Sequence, residues 1–413
     1  MAKVIIMGGG VIGLCSAHYL SRAGWEVVVV DQGNMEDSCS YGNAGMIVPS
    51  YFVPLAAPGV IPKSLSWLFR SDSPLSLRPR TIEDWKWLLR FMRSATARHV
   101  SRSMRPLLDF SLYSKSEFLK LSREMDLDLQ QKGVMMLAAT ASGYKKECQL
   151  AHKAALLGLD VLCLSPQEVM DIQGGVDMNI QGGVHYRCDA HLDPRKFMQQ
   201  LLTLLESEGV RLIKNARVEH ITRKGHALES LVLSSGHILS GDAFVLSAGS
   251  GAAGLAGLLG LSLPIMPGRG YSFMESAGAH TLPVPVLLSE SKVAITPMSR
   301  QTRIAGGMEL GRMGRGIQKS RVQGMLDSVQ AYFPAWKLAM PEMEKIWSGH
   351  RPCSPDGLPY IGPYKGIDNL IIASGHGMMG LSLGPGTGAV VADLIQQKVP
   401  EVNLLRFAAD RFA

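Results

Sequence analysis

Gly8, Gly10 and Gly13, with Asp31 beyond them, carry the first chemistry that the residues suggest. Gly8 permits a tight turn, Gly10 lets a backbone approach a pyrophosphate, and Gly13 lets a helix pack close on the preceding strand. The backbone donors of Val11 and Ile12, at the positive end of that helix, would face the phosphates. Asp31, with Gln32 beside it, stands where a ribose hydroxyl needs an acceptor. The glycine pattern alone is a weak signal. Here it lies between the apolar run Val4–Met7 and a helix ending at Gly24, followed by Val27–Val30 and the acid, which outweighs a reading as incidental glycines in a buried turn. The motif predicts a dinucleotide site and does not separate NAD from FAD.

Three other stretches are small enough for a backbone to lie against a ligand. They are the polar loop Ser38–Met46, which contains Ser40, Asn43, Ala44, Gly45 and Met46, the strand end Ala248-Gly249, and the loop Gly375–Gly380 with Gly377, Met378 and Met379. A last strand at Leu370–Ser374 followed by a helix with Pro385 near its first turn makes a second glycine-rich strand-to-helix junction.

The elements that must position these loops follow from periodicity and punctuation. Trp85, Leu88, Leu89 and Met92 share one helical face, and Leu108, Leu112 and Leu119 another; both are expected to face a core. Met135–Ala138 reads as a strand and Tyr144–Leu157 as a helix stopped by Gly158. Asp193-Pro194 opens a helix that turns Phe197, Leu201, Leu204 and Leu205 inward and ends at Gly209. Strands are expected at 210–213, 228–233, 237–246, 263–273, 292–296 and 303–307, with a hairpin over 299–301, and a helix from Lys319 to Phe333. Residues 47–80 hold prolines at 49, 54, 58, 62, 74 and 79 among apolar side chains, so no helix runs through them and a functional loop is expected.

With 413 residues the chain exceeds one ordinary core, so two domains are expected. The formal charge of +7 is spread without aromatic interleaving, which argues against nucleic acid. Cys15, Cys39, Cys148, Cys163, Cys188 and Cys353 form no C-x-x-C pair, so reduced structural thiols are expected, and no metal site. The glycine-broken N-terminal run lacks the features of a secretory signal, which predicts a cytoplasmic protein.

Taken together, the glycine turn with Asp31, the Ser40–Met46 loop, Ala248-Gly249, the segment from Arg351-Pro352 to Ile361-Gly362 and the Gly375–Gly388 region resemble the FAD-dependent amino-acid oxidoreductases of the D-amino-acid oxidase and glycine oxidase superfamily. Within it, Asn43-Ala44-Gly45, the run Pro54 to Gly59, Gly268–Ser272, Gly306-Gly307-Met308 and Ser374–Gly377 are similar to the bacterial D-amino-acid dehydrogenase subgroup. The resemblance implies an α/β fold: a Rossmann-like FAD-binding domain from residues 1–50, 190–255 and 345–413, and a second α+β substrate domain on an antiparallel sheet from 51–189 and 256–344. It implies FAD with its pyrophosphate at Gly8, Gly10 and Gly13 and its adenine bracketed by Val218. The isoalloxazine would lie along Asn43–Met46 and Gly377–Gly380.

By the same likeness Arg351 holds the substrate carboxylate, a task suited to a planar guanidinium. The implied chemistry is hydride transfer from the substrate α-carbon to flavin N5. Tyr51, Tyr271, Lys292 and His350, with His376, are the side chains expected to close the pocket. In the 291–296 hairpin this chain has Ser291-Lys292-Val293-Ala294 where glycine-oxidase-like relatives place an aromatic, and His350 neighbours Arg351, so the substrate side chain stays open. The amino acid is expected to be a D-amino acid or a cyclic secondary one of the D-proline type. A glycine or sarcosine oxidase making peroxide is the alternative, and an electron-relay subunit a further one. The apolar segment Val48–Phe69, with Lys63 and Arg70, suggests a quinone acceptor and peripheral contact with the inner face of the cell membrane.

Overall fold

A computed structural model of the chain describes residues 1–59, 75–77, 79–276, 281–299, 301–311 and 316–413. Strand Lys3–Met7 lies at the centre of a six-stranded sheet ordered Tyr360–Tyr364, Ile367–Ser374, Ala243–Leu246, Lys3–Met7, Glu26–Val30, Arg211–Ile213. All neighbours are parallel except the edge pair Tyr360–Tyr364 and Ile367–Ser374. Its strands are apolar on both faces because both are covered. Val4, Ile6, Val27 and Val29 pack with helices Val11–Arg22 and Pro194–Ser207. Ile5, Met7, Val28 and Val30 pack with Val218, Leu228 and Leu231.

The second sheet runs Trp347–Cys353, Met266–Ser276, Gln301–Leu310, Ala294–Met298, Val286–Leu288, Val134–Ala138, Gly182–Tyr186, Val161–Leu164, with Leu75–Leu77 beside Gln301–Leu310. It is mixed rather than purely antiparallel: Val286–Leu288 runs parallel to Val134–Ala138, and Leu75–Leu77 parallel to its neighbour. One face packs on helix Lys319–Tyr332 through Val322, Met325, Leu326 and Val329.

Several expectations from sequence are corrected. Strand Trp347–Cys353, grouped above with the nucleotide-binding segments, hydrogen-bonds to Met266–Ser276 in the large sheet. Helix Ala97–Leu121, grouped with the substrate segments, sends Phe118 and Leu121 into the core beneath helix Val11–Arg22. The single strand expected over 237–246 is two, Ile238–Ser240 and Ala243–Leu246, broken at Gly241-Asp242. Helix Ile82–Ser94 starts on a Thr81–Asp84 capping box but buries Trp87 and Phe91, while Trp85, Leu89 and Met92 face solvent. The aromatic pair wins the inward face because its rings stack at 5.3 Å and the Trp87 indole donates to the Cys353 carbonyl at 2.9 Å. Leu112 is likewise exposed. Of the proline-rich segment, Lys63, Trp67, Leu68, Phe69 and Arg70 lie outside the described residues.

Candidate active site

Gly8 sits at φ +117°, its N–H on the Val30 carbonyl at 2.8 Å, and a Cβ there would stand 2.7 Å from Ala248 Cα. At Gly13 a Cβ would lie 1.8 Å from the Gly8 carbonyl oxygen, so the helix rests directly on the turn. Gly10 is different: the nearest atom to an added Cβ is Ser40 Oγ at 3.6 Å, and the space beyond is open. Ser40 reaches this point because its hydroxyl accepts the Val11 N–H at 3.0 Å.

Asp31 does more than the motif implies. Its two carboxylate oxygens accept the Gly9 and Gly33 N–H groups at 2.6 and 2.7 Å, so the acid shapes the glycine turn. A cavity of about 460 Å³ opens beside it, lined by Gly8, Asp31, Gln32, Val218, Ala248 and Leu255. Donors at a helix start, a glycine that leaves room, and an acid at the rim of an apolar slot fit an adenine dinucleotide.

Further along, the loop through Asn43, Ala44, Gly45 and Met46 is held by groups far away in sequence. Arg303, buried, donates through Nη1 to the carbonyls of Tyr41 at 3.0 Å and Asn43 at 2.6 Å. Burial lowers its pKa to about 10, which leaves it charged near neutrality. Ser272 Oγ donates to the Gly42 carbonyl at 2.9 Å. Asn43 Oδ1 accepts the Gly45 N–H at 2.9 Å, and Met46-Ile47 pairs with Ala190-His191. Sequence reasoning assigned Arg303 no part in the site and missed this role.

On the opposite side, Gly375 (φ +77°) and Gly377 (φ +56°) turn the chain around His376, and Met378, Met379 and Gly380 follow in a short helical turn. His376 Nε2 lies 3.0 Å from Thr387 Oγ1, whose own proton goes to the Leu383 carbonyl at 2.7 Å. Thr387 is therefore the acceptor, so Nε2 carries the proton and Nδ1 is a buried lone pair without a partner among the described residues. Burial lowers the His376 pKa to about 3, so the ring is neutral at ordinary pH. A small cavity of about 30 Å³ brings His376 together with Tyr51, Cys353, Gly375, Gly377, Met378 and Met379. Gly386 and Gly388, in contrast, serve packing: added Cβ atoms would meet the Ser114 side chain at 2.7 Å and the Cys15 backbone at 2.6 Å.

Arg351 lies across the Gly270 backbone, where a Cβ would stand 2.4 Å from its Cζ, and donates through Nη1 to the Gly307 carbonyl at 2.5 Å. Among the described residues no ion pair joins it to a carboxylate. Burial lowers its pKa, the cost of holding a cation out of water without a counter-charge. Tyr51, whose phenol is pushed up by burial, lies in the field of both Arg351 and Glu147. Beside it Ser50 is fixed on the buried Asp189, its N–H on Oδ1 at 3.0 Å and its hydroxyl on Oδ2 at 2.5 Å.

The other expected pocket residues are corrected. Directly paired residues share a sheet face and successive ones alternate. Gly270 and Arg351 therefore share one face, while Arg269, Tyr271 and His350 share the other. Tyr271 is buried against helix Lys319–Tyr332, its hydroxyl on Glu309 at 2.6 Å and its pKa pushed up to about 12. His350 stands beside Arg269, and burial with that neighbouring charge lowers its pKa. Lys292, at φ +56°, holds a half-exposed ammonium 3.8 Å from Glu147. Glu147 is buried and also accepts the Ser289 hydroxyl; no motif or periodicity marks it. Cys39 is an exposed residue whose Sγ accepts the His350 N–H at 3.3 Å, and desolvation of the sulfur raises the thiol pKa. All six cysteines are free.

A family model described as FAD dependent oxidoreductase matches residues 3–394. The chain belongs to the FAD-dependent oxidoreductase family. FAD is therefore the dinucleotide that the shape of the Gly8–Asp31 turn fits, and Gln32, Val218 and Ala248 line the cavity beside it. Relatives named D-amino acid dehydrogenase from Bradyrhizobium diazoefficiens and Rhizorhabdus wittichii are 33% and 34% identical, covering 100% and 99% of this chain and 99% and 100% of their own. In fold the chain is similar to glycine oxidase from Geobacillus kaustophilus (TM-score 0.80, 23% identity, 100% and 99% coverage) and to L-proline dehydrogenase from P. horikoshii (TM-score 0.79, 16% identity, 100% and 97% coverage).

Two expected outcomes follow from this geometry. Gly13→Ala should destabilise the flavin-stripped protein by about 3 kcal/mol or more, because the methyl group meets backbone. Gly10→Val should leave its thermal melt nearly unchanged while abolishing the 450-nm region flavin absorbance of the purified protein; a Gly10→Val protein with full flavin content would refute the phosphate assignment.

Asp189 has its pKa raised from 3.8 to about 7 by burial, so folding disfavours its charged form. Relative to Asp189→Asn, wild-type stability should fall as pH rises through this window and level off above it, by at most roughly 4 kcal/mol. Urea midpoints of both proteins between pH 4 and 8 measure the difference, and a constant difference would show that Asp189 does not titrate there.

Proposed function

We propose that this protein oxidises a D-amino acid, or a cyclic secondary amino acid of the D-proline type, with FAD as the immediate oxidant. The observation that carries the reading is Arg351: a charged guanidinium in the site, braced on the Gly270 and Gly307 backbone, with no carboxylate paired to it among the described residues. Such a group takes an α-carboxylate through two parallel hydrogen bonds and thereby fixes which α-substituent faces the cofactor. The D-amino acid dehydrogenase names of relatives at 33% and 34% identity support the same class.

FAD supplies the hydride acceptor, and the residues of this chain orient and insulate. Arg303 and Ser272 hold the 41–43 carbonyls away from the ring's side of the loop, which suits the Asn43–Met46 and Gly377–Gly380 backbones to cradle it. Tyr51 closes the pocket as a protonated phenol, a donor whose place is set by the Ser50–Asp189 contact. His376, neutral and fixed with Nδ1 as acceptor, accepts a hydrogen bond without adding charge. An imino acid from a primary amine, once released, hydrolyses in water to the oxo acid and ammonia, whereas a cyclic imine leaves with its nitrogen still attached.

The electrons pass on to a quinone, with the protein peripheral at a membrane surface. The apolar, proline-punctuated run from Val48 with Lys63 and Arg70 supports this, and among the described residues no helix is long and apolar enough to cross a membrane.

Arg351→Lys should raise the substrate KM by on the order of tenfold to a hundredfold with flavin content unchanged, since a point charge replaces a planar fork. Unaltered kinetics with a panel of D-amino acids would make Arg351 structural. For the acceptor, turnover with a soluble quinone should exceed oxygen consumption. Peroxide formed as fast as quinone is reduced would establish the glycine or sarcosine oxidase reading instead.

A further inference from the structure

Helix Ile82–Ser94 is apolar on two sides, and one of them is uncovered. Trp87 and Phe91 fill the inward side, joining Ala56, Met266, Met308, Leu310 and Cys353. On the outward side Ile82, Trp85, Leu89 and Met92 are 68%, 56%, 44% and 42% exposed. At 100° per residue these four fall within about 80° of arc, a continuous stripe rather than scattered side chains. Single exposed apolar residues need no explanation, whereas a contiguous stripe containing Trp does.

The charge on this helix and the next is predominantly basic. Lys86 and Arg93 are exposed along its flank, and Arg98, Arg102 and Arg105 are exposed on the next helix, Ala97–Leu121. Glu83 takes Lys86 at 2.8 Å, Asp109 takes Arg105 at 2.7 Å and Asp84 is buried in the cap, which leaves Arg93, Arg98 and Arg102 exposed and outside any ion pair among the described residues. A protein partner would need acidic residues matched to these positions, while an anionic bilayer presents negative charge to all of them at once.

We propose that the Ile82–Trp85–Leu89–Met92 face is a docking surface for an anionic lipid bilayer, with helix Ile82–Ser94 lying in the interface plane. The four apolar side chains enter the headgroup boundary, and Lys86 and Arg93 stay at phosphate level. The helix's other face is a wall of the site. Trp87 donates to the Cys353 carbonyl, two residues past Arg351, and Met308 and Met378 pack on the same cluster. Docking thus brings the substrate and cofactor end of the protein against the lipid from which a quinone would come. This inference rests on the membrane-contact part of the proposed function and is independent of the amino-acid chemistry.

The test is co-sedimentation of holoenzyme with vesicles of phosphatidylcholine alone or with phosphatidylglycerol added, at low and high salt, alongside turnover with a soluble dye. Wild type should bind the anionic vesicles and lose that binding in salt. Trp85→Ser with Leu89→Ser, and separately Lys86→Gln with Arg93→Gln, should each weaken binding at least tenfold with dye turnover and flavin spectrum unchanged. Wild type that ignores anionic vesicles overturns both the docking surface and the membrane contact, while dye turnover would leave the enzymatic reading standing. Binding equal in wild type and both variants places any membrane contact elsewhere. A dimer in gel filtration that the Trp85→Ser, Leu89→Ser variant dissolves makes the stripe an interface between copies, and overturns the proposal.

Discussion

The Arg303 guanidinium on the carbonyls of Tyr41 and Asn43 is the contact on which the rest of the site depends. Arg303 belongs to the large sheet, and the carbonyls belong to the loop that follows the nucleotide-binding strands. A buried cation is costly unless its donors are met, and here backbone carbonyls meet them, with the Asp193 carboxylate adding a favourable field. The loop must therefore keep its shape for the charge to be tolerated. That fixes the distance between the FAD-binding turn and the strand that presents Arg351.

Trp347 completes the same junction from below. Its ring is held between two glycines: a Cβ on Gly42 would stand 2.0 Å from it and one on Gly349 2.1 Å. Since Trp347, Gly349, Arg351 and Cys353 alternate with the other face of their strand, the residue that supports the cofactor loop and the residue that would hold the substrate share one side. Gly349 allows the indole to lie flat, and Gly270 allows the guanidinium to do so. The glycines of this sheet act by absence of side chains, which is how a planar cation and a planar ring come to rest against backbone.

Those dependencies explain what could and could not be read from residues alone. The Gly8–Asp31 unit was legible because every part of it is local: strand, turn, helix and acid follow one another in the chain. The additional service of Asp31 to Gly9 and Gly33 was not, because a motif names a ligand and hides the protein partner of the same oxygens. Tyr271 and His350 were assigned to the pocket by proximity in sequence, yet one step along a strand reverses the face. Arg303 looked like one cation among several, since nothing in its neighbourhood announces carbonyls some 260 residues away. Helix Ile82–Ser94 shows the limit of periodicity: an apolar stripe predicts a covered face only where something covers it, and here the stacked Trp87 and Phe91 took that place.

The two ends of the chain meet in a way that separates cofactor holding from substrate choice. Helices Val11–Arg22 and Gly384–Ile395 cross where Gly384 faces Val11 and Gly388 faces Cys15, so closely that an added Cβ would strike side chain or backbone. Helix Ala97–Leu121 closes the third side through Ser114, whose hydroxyl accepts the Gly386 N–H at 3.1 Å and donates to the Ser382 carbonyl at 2.8 Å. The FAD turn and the His376 loop are therefore parts of one tightly packed unit. Arg351, Glu147 and Lys292 hang instead from the large sheet, its flanking helix and the turn beside it. The Asn43–Met46 loop joins the two, since it follows the nucleotide-binding strands in the chain while Arg303, Ser272 and Trp347 reach it from the large sheet.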